Sequence, residues 1–366
     1  MFDRRLVQYF NWLLLGVVFL AIAIGLLTLK SAVSAGHNPQ GYLYTKQLVW
    51  YAIGLVVMIG SFLFNYKLLD RWAPTIYLVC VLLLLCVFFF GRIGGGSRRW
   101  LTFGFFSIQP SEPIKIAVII TLARYYSRIV NMDGFTLKEL ITPCILILVP
   151  FMLIVKQPDL GTALLLGLIA GSITLFVKIE RRSLGGLILS AVFIVPAVWF
   201  FLEDYQKKRI LTFLNPDRDP LGAGYHIIQS KIAIGSGMMT GKGYLHGSQN
   251  VLSFLPEQHT DFIFSVLAEE WGFIGALVLL LLFLILLLLA LNIAYQCRDA
   301  FGTILAVGIA SMIFWQVFIN IGMVMGLLPV VGMPLPLFSY GGSSTLTLMI
   351  SIGILLNISM RRFMSE

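Results

Sequence analysis

The sequence predicts an all-α polytopic membrane protein of about ten transmembrane helices, and three observations point there. Hydrophobic residues make up 58% of the 366 and charged residues only 12%. A soluble domain of that length needs a polar surface that this composition does not supply. Mean hydropathy is +0.92, and apolar runs of membrane-crossing length recur from end to end. The net charge of +9 does not indicate a nucleic-acid partner. The basic residues fall in short segments between apolar runs, where they set orientation.

The runs fall at 10–29, 48–65, 74–90, 112–126, 141–155, 162–177, 185–202, 273–294, 302–328 and 345–360. The first is too long for the apolar core of a signal peptide and no small-residue cleavage site follows it cleanly, so it reads as a span. Pro113, Pro143 and Pro150 interrupt the shorter central runs and blur their ends. Residues 1–366 read as a single membrane domain, with one large extracytoplasmic loop, 203–260, between spans seven and eight. With the N-terminus inside, Arg4, Arg5, Lys67, Arg71, Arg124, Arg128, Lys138, Lys178, Arg181, Arg182, Arg298, Arg361 and Arg362 are cytoplasmic. Against them, only Lys30, Lys46, Arg92, Arg98, Arg99 and Lys156 lie in short outer loops. An even number of spans leaves both termini cytoplasmic. Cys80, Cys86, Cys144 and Cys297 lack metal-ligand spacing and external disulfide placement, and read as packing residues.

This orientation gathers the other polar groups outside. Asp159, Glu203, Asp204, Asp217, Asp219, Glu257 and Asp261 are there, with His37, His226, His246 and His259. The spans hold few charges, whereas an ion pump or proton relay places carboxylates at membrane depth.

Four segments carry the chemistry. Residues 91–117 place Arg98 and Arg99 after a glycine turn, then Glu112 and Lys115 three apart on one helix face. They read as an interfacial anchor with an ion pair, or as a cationic cradle for an anionic head group. In KQPDLGTA (156–163), Asp159 is a helix cap or a carboxylate lining the outer cavity. The long loop is dense in Gly, Asn, Asp, Gln, His and Lys, more varied than a connector requires. Where it meets the next span, Thr260 is expected to cap the helix and Asp261 to occupy its first turn. Phe262, Ile263 and Phe264 would partly desolvate that carboxylate, as a general base requires. Glu269 and Glu270 read as interfacial or cavity-lining groups. In 320–346, prolines and glycines break the helix, so this backbone must be buried in protein or line a cavity; Ser339, Tyr340, Ser343 and Ser344 give it hydroxyls.

GKGYLHGSQN (241–250), LPEQHTDFIFSVLAEEWG (255–272) and LPLFSYGGSS (335–344) are long and specific. Together with the other segments they resemble the SEDS family of cell-wall polymerases over nearly the whole chain, its elongation members more than its division members. SEPIKIA at 111–117 departs from the SEFAKLA common in that family, but Glu112 and Lys115 are retained. The resemblance implies a SEDS fold and a peptidoglycan glycosyltransferase that polymerises lipid II during cell elongation and shape maintenance. It implies that Asp261 is the essential carboxylate. The substrate-binding residues expected beside it are Arg98, Arg99, Glu112, Lys115, Asp159, Lys242, His259, Ser339 and Ser343. It also implies a class B penicillin-binding transpeptidase and other elongation-complex proteins as partners. A divalent cation such as Mg2+ or Mn2+ would share the pyrophosphate charge, with no dedicated metal motif and no organic cofactor. A lipid II flippase, a division-type polymerase and a recruiting scaffold are the alternatives. Gln316 and Asn320 are the best candidates for a flippase path through the membrane depth.

Overall fold

A computed structural model of the chain describes residues 9–34, 41–94, 97–103, 106–129, 134–216, 219, 222–251 and 257–362. Arg4, Arg5, His37 and Asp217, assigned to sides of the membrane above, lie outside the described residues. Each expected run forms a helix. The first three are α1 (Trp12–Ser34), α2 (Gly41–Leu63) and α3 (Lys67–Phe90). After a small sheet come α4 (Pro113–Arg128), α5 (Leu137–Lys156), α6 (Leu160–Phe176) and α7 (Arg181–Phe201). The long loop contains α8 (Asp204–Leu214), α9 (Ala223–Ser236) and α10 (Ser248–Val251). The chain closes with α11 (Ile263–Gln296), α12 (Ala300–Val324) and α13 (Gly342–Arg361). Among the described residues, seven helices (α1, α2, α3, α5, α11, α12 and α13) are long and apolar enough to cross a membrane, and α6 is a shorter apolar helix. The protein is a multi-pass membrane protein.

The core lies along α4, α12 and α13. Every residue of α4 from Ile114 to Ala123 is buried, so this 16-residue helix meets protein rather than lipid. Leu43, Gln47, Tyr51, Gly54 and Met58 form one buried stripe of α2, which packs on α13. Gly54 leaves room for Met349, whose Cγ would lie 2.9 Å from a Cβ there. The stripe also ties α2 to the segment before α13. Tyr51 donates to the Leu337 carbonyl at 2.8 Å, and Gln47 accepts from the Gly341 N–H at 3.2 Å.

Two features depart from the all-α expectation and its boundaries. Three short strands, β1 (Arg92–Gly94), β2 (Ser97–Phe103) and β3 (Phe106–Ile108), form an antiparallel sheet in the order β1-β2-β3. The run of aromatic and β-branched residues after the glycines carries the period-2 pattern of a strand, too short to compete with the apolar runs around it. Helix α11 begins ten residues before the expected 273, because Gly272 bends the chain instead of stopping it. Gly272 takes φ 64 inside the helix. The loop 238–243 satisfies the backbone around the bend: Phe273 N–H donates to Met238 O at 2.8 Å, and Lys242 N–H to Glu269 O at 3.0 Å.

Candidate active site

By connectivity, the ends of α1, α3 and α5 and the starts of α4, α6, α11 and α13 share one end of the bundle, together with the sheet and the long loop. Asp261 lies there in a tight turn. Glu257 adopts φ 53, and its carbonyl accepts from the N–H groups of Thr260 and Asp261 at 3.1 and 3.2 Å. The helix proper starts at Ile263, after Phe262, with no side-chain cap. The expected Thr260 cap is therefore corrected. The Thr260 hydroxyl donates back to the Glu257 carbonyl at 3.1 Å, and Asp261 precedes the first helical turn. The turn is held from behind. Asn320 Nδ2 donates to the carbonyls of Asp261 at 2.9 Å and Met333 at 2.6 Å. Ser339 donates to the Thr260 carbonyl, and the Tyr340 N–H to His259 O at 2.8 Å. A Cβ on Gly332 would lie 3.4 Å from Asp261 Oδ2, and its φ of +71 also favours glycine.

Burial is the main influence on the half-buried Asp261 carboxyl, pushing its pKa up to about 7; Glu257 and Asp159 add to the rise, while Arg209 and Arg99 oppose it. Desolvation therefore prevails over any stabilisation of the anion by the helix end. Arg99 reaches from β2 to Asp159 at 3.7 Å. Its Nε donates to the Gln157 carbonyl at 3.3 Å, and Nη2 contacts the Pro158 carbonyl. Asp159 fulfils the helix-cap reading and is itself buried. It caps α6 by accepting from Thr162 N–H at 3.4 Å, and it takes a bond from Gln109 Nε2 at 3.1 Å within the cluster. Arg209, on α8, was not singled out from the sequence. Burial and the neighbouring Arg99 lower its pKa, while Asp159 and Asp261 raise it; a guanidinium keeps its charge through such shifts. Its only sequence signal was membership of the long polar loop.

The other expected residues occupy separate environments. Arg98 and Arg99 are neighbours on a strand, so their side chains leave opposite faces, and Arg98 is exposed. Lys115 is fully buried and bonds Glu112 Oε1 at 2.8 Å. The three cations of the expected cradle thus differ in setting, with Arg98 exposed and Lys115 enclosed, while Arg99 and Arg209 are the cations whose charges act on Asp261. Lys242 pairs with buried Glu269 at 2.7 Å. Ser248 Oγ and Gln249 N–H also donate to Glu269, at 3.2 and 3.0 Å, so this carboxylate anchors the loop on α11. Glu270 lines a cavity of about 520 Å3, as expected of a cavity-lining group. His259 lies 4.0 Å from Glu257 and packs on Tyr340 with ring centroids 6.0 Å apart. Ser343 accepts from Gln109 N–H at 3.0 Å. Ser339 and Ser343 thereby pin backbone around the site.

Among the described residues no three His, Cys, Asp or Glu side chains converge to ligate a metal. Arg99 already occupies the Asp159 side of the cluster. These residues do not fit a protein-held cation, and no step is assigned to one.

Fold and site together define a multi-pass membrane protein with a half-buried carboxylate, under the electrostatic influence of two arginines, at one end of its bundle. The chain belongs to the FtsW/RodA/SpoVE family, described as "Cell cycle protein", whose profile matches residues 11–363. It is 46% identical over 315 residues to the peptidoglycan glycosyltransferase MrdB of Escherichia coli, covering 86% of this chain and 84% of that one. A chain of a solved peptidoglycan synthase complex, described as coordinating polymerization and crosslinking, superposes with a TM-score of 0.84 at 31% identity, covering 97% of this chain and 99% of that one. The crystal structure of Thermus thermophilus RodA, a rod shape determining protein, gives 0.72 at 27% identity, covering 97% and 98%.

Proposed function

We propose that this chain is a peptidoglycan glycosyltransferase that polymerises lipid II into β-1,4 glycan strands at the outer face of the cytoplasmic membrane, serving cell elongation and shape. The observation that carries the reading is the Asp261 carboxyl, half-buried in a turn held by Asn320, Ser339 and Tyr340 and raised by burial to about 7 against the opposing charges of Arg99 and Arg209. A base near neutrality takes a proton at working pH and is ionised often enough to do so.

In this mechanism Asp261 removes the proton from the attacking 4-hydroxyl as that oxygen bonds to the anomeric carbon of the donor. The bond from that carbon to the pyrophosphate oxygen breaks in the same displacement, so configuration inverts from α to β. Undecaprenyl pyrophosphate leaves with the bonding electrons, and Arg99 and Arg209 stabilise the charge that develops on it. The basic-residue bias supports cytoplasmic termini and an outward site. A class B penicillin-binding transpeptidase is the proposed partner. Its support is the likeness to a synthase that coordinates polymerization and crosslinking. Other elongation-complex proteins are proposed on the resemblance alone.

Asn320 in α12 favours polymerase over flippase. Asn320 uses its amide to hold the Asp261 turn and the Met333 carbonyl, a fastening role rather than a step on a path. The deciding experiment supplies purified chain in detergent with labelled lipid II, where no membrane needs to be crossed. Polymer on a gel supports the reading; intact lipid II from a folded, monodisperse preparation rejects it.

A further inference from the structure

Beside the Asp261 cluster opens a second groove, of about 560 Å3, within the roughly 300–1,000 Å3 of ligand pockets. Tyr42, Thr45, Lys46, Val49 and Trp50 of α2 form one wall, and Ser107 and Tyr340 the other. The α2 residues recur at the 3–4 residue spacing of one helix face, next to the buried stripe that packs on α13. A face turned to lipid would be apolar, as at the exposed neighbour Leu48. This face instead carries a hydroxyl, an ammonium and two aromatic rings.

The walls are fixed in place. Trp50 is seated over Gly342, where a Cβ would lie 2.6 Å from the indole Nε1. Tyr340 is tied through its N–H to His259 O at 2.8 Å, two residues before Asp261. Ser107 is joined to the catalytic cluster: its carbonyl accepts from Ser343 Oγ at 3.5 Å, Ser343 accepts from Gln109 N–H, and the Gln109 side chain reaches Asp159. Lys46 Nζ stands 5.1 Å above the Tyr42 ring.

Rigid aromatic faces beside hydroxyls suit a saccharide. The C–H face of a pyranose stacks on an aromatic ring while its rim hydroxyls and acetamido groups take hydrogen bonds. An ammonium adds a contact for a carboxylate substituent. We propose that this groove is a subsite for the glycan strand already polymerised, with Tyr42, Trp50 and Tyr340 as stacking platforms and Lys46 as the carboxylate contact. The inference rests on the polymerase reading and adds to it a place for the strand next to the reacting carboxyl.

The test uses full-length chain carrying Asp261→Asn, titrated calorimetrically with a lipid-free, carboxylate-bearing tetrasaccharide of alternating N-acetylhexosamines. Lys46→Ala and Tyr42→Ala, added to that background, are each expected to weaken binding at least about fivefold, while Leu48→Ala leaves it unchanged. In active chain, the same two substitutions shift labelled products to shorter strands. Size-exclusion profiles matching the parent establish that the variants are folded. Parental affinity and parental strand length in folded Lys46→Ala and Tyr42→Ala would overturn the proposal. The binding measurement needs no turnover, so it separates failure of the groove from failure of the polymerase reading.

Discussion

At the scale of single residues, the charges around Asp261 make opposed predictions about pH. With its carboxyl near 7, a base that must be ionised gives a rate that rises with pH to a plateau, and at pH 6 about tenfold below it. Arg209 lowers the Asp261 value and Glu257 raises it. Arg209→Ala should therefore move the acid limb of kcat/KM to higher pH, and Glu257→Gln should move it to lower pH. Shifts of the same sign in both variants would contradict this arrangement. Stability has its own sign. The folded carboxyl is raised above its ordinary 3.8, so the folded state holds more protons through that window and loses stability as pH rises through it. Asp261→Asn removes the cost of an ionised, desolvated group. Its Tm at pH 8 should exceed that of the parent by about 2 °C or more, read by thermal melting in detergent; a lower Tm would argue against a strained carboxylate. Asp261 itself was legible in the sequence because a polar turn met an apolar helix there. Its desolvation by Phe262–Phe264 was legible too, but not the two arginines that oppose the resulting rise in pKa, because they come from β2 and α8, remote in sequence and linked by no motif.

Among the elements, the bend in α11 and the loop 238–250 stabilise each other. Gly272 and Gly241 both take positive φ, and a Cβ on Gly272 would strike the Gly241 backbone and lie 2.7 Å from the Met239 carbonyl carbon. Gly272→Ala combines that clash with left-handed backbone strain of about 1–3 kcal/mol. It should detach the loop, seen as proteolytic cleavage within 238–250 that the parent resists; an equally resistant variant would refute the coupling. Glu269 holds the far end of the same loop through Lys242, Ser248 and Gln249. The sequence displayed both partners, but 27 positions apart, and nothing in their spacing joined them. The apolar runs gave the spans because lipid imposes a length on each helix. Their boundaries were less legible, since polar turns such as Gly41–Gln47 and bends such as Gly272 extend a helix past its apolar stretch.

In the whole molecule, the Glu112–Lys115 pair shows how a polar motif can serve the bundle. Lys115 is fully enclosed between helices that form the core. Lys115→Met leaves the Glu112 carboxylate buried without its cation, which typically costs about 3–5 kcal/mol. Adding Glu112→Gln should recover most of that loss, read as Tm in detergent. Recovery of polymerisation together with Tm would assign the pair to the fold. A stable but inactive double variant would instead return Lys115 to the substrate, as its place in the sequence motif suggested. The arrangement as a whole places the proposed chemistry at one end of a bundle whose apolar flanks suit lipid. That end unites segments from nearly the full length of the chain: β2, the start of α6, α8, the turn before α11 and the loop before α13.

The proposed role of Asp261 as the base in lipid II polymerisation is tested most directly by a single comparison. Purified parent and Asp261→Asn proteins are incubated with labelled lipid II at pH 8, and products are resolved by length on a gel, with lipid II binding measured in parallel. Asn preserves the size of the side chain and some hydrogen bonding but cannot accept the proton, whose removal is typically worth about 10²–10⁴-fold. Polymer is expected to disappear while lipid II still binds. Polymer formed by Asp261→Asn at near the parental rate would contradict it.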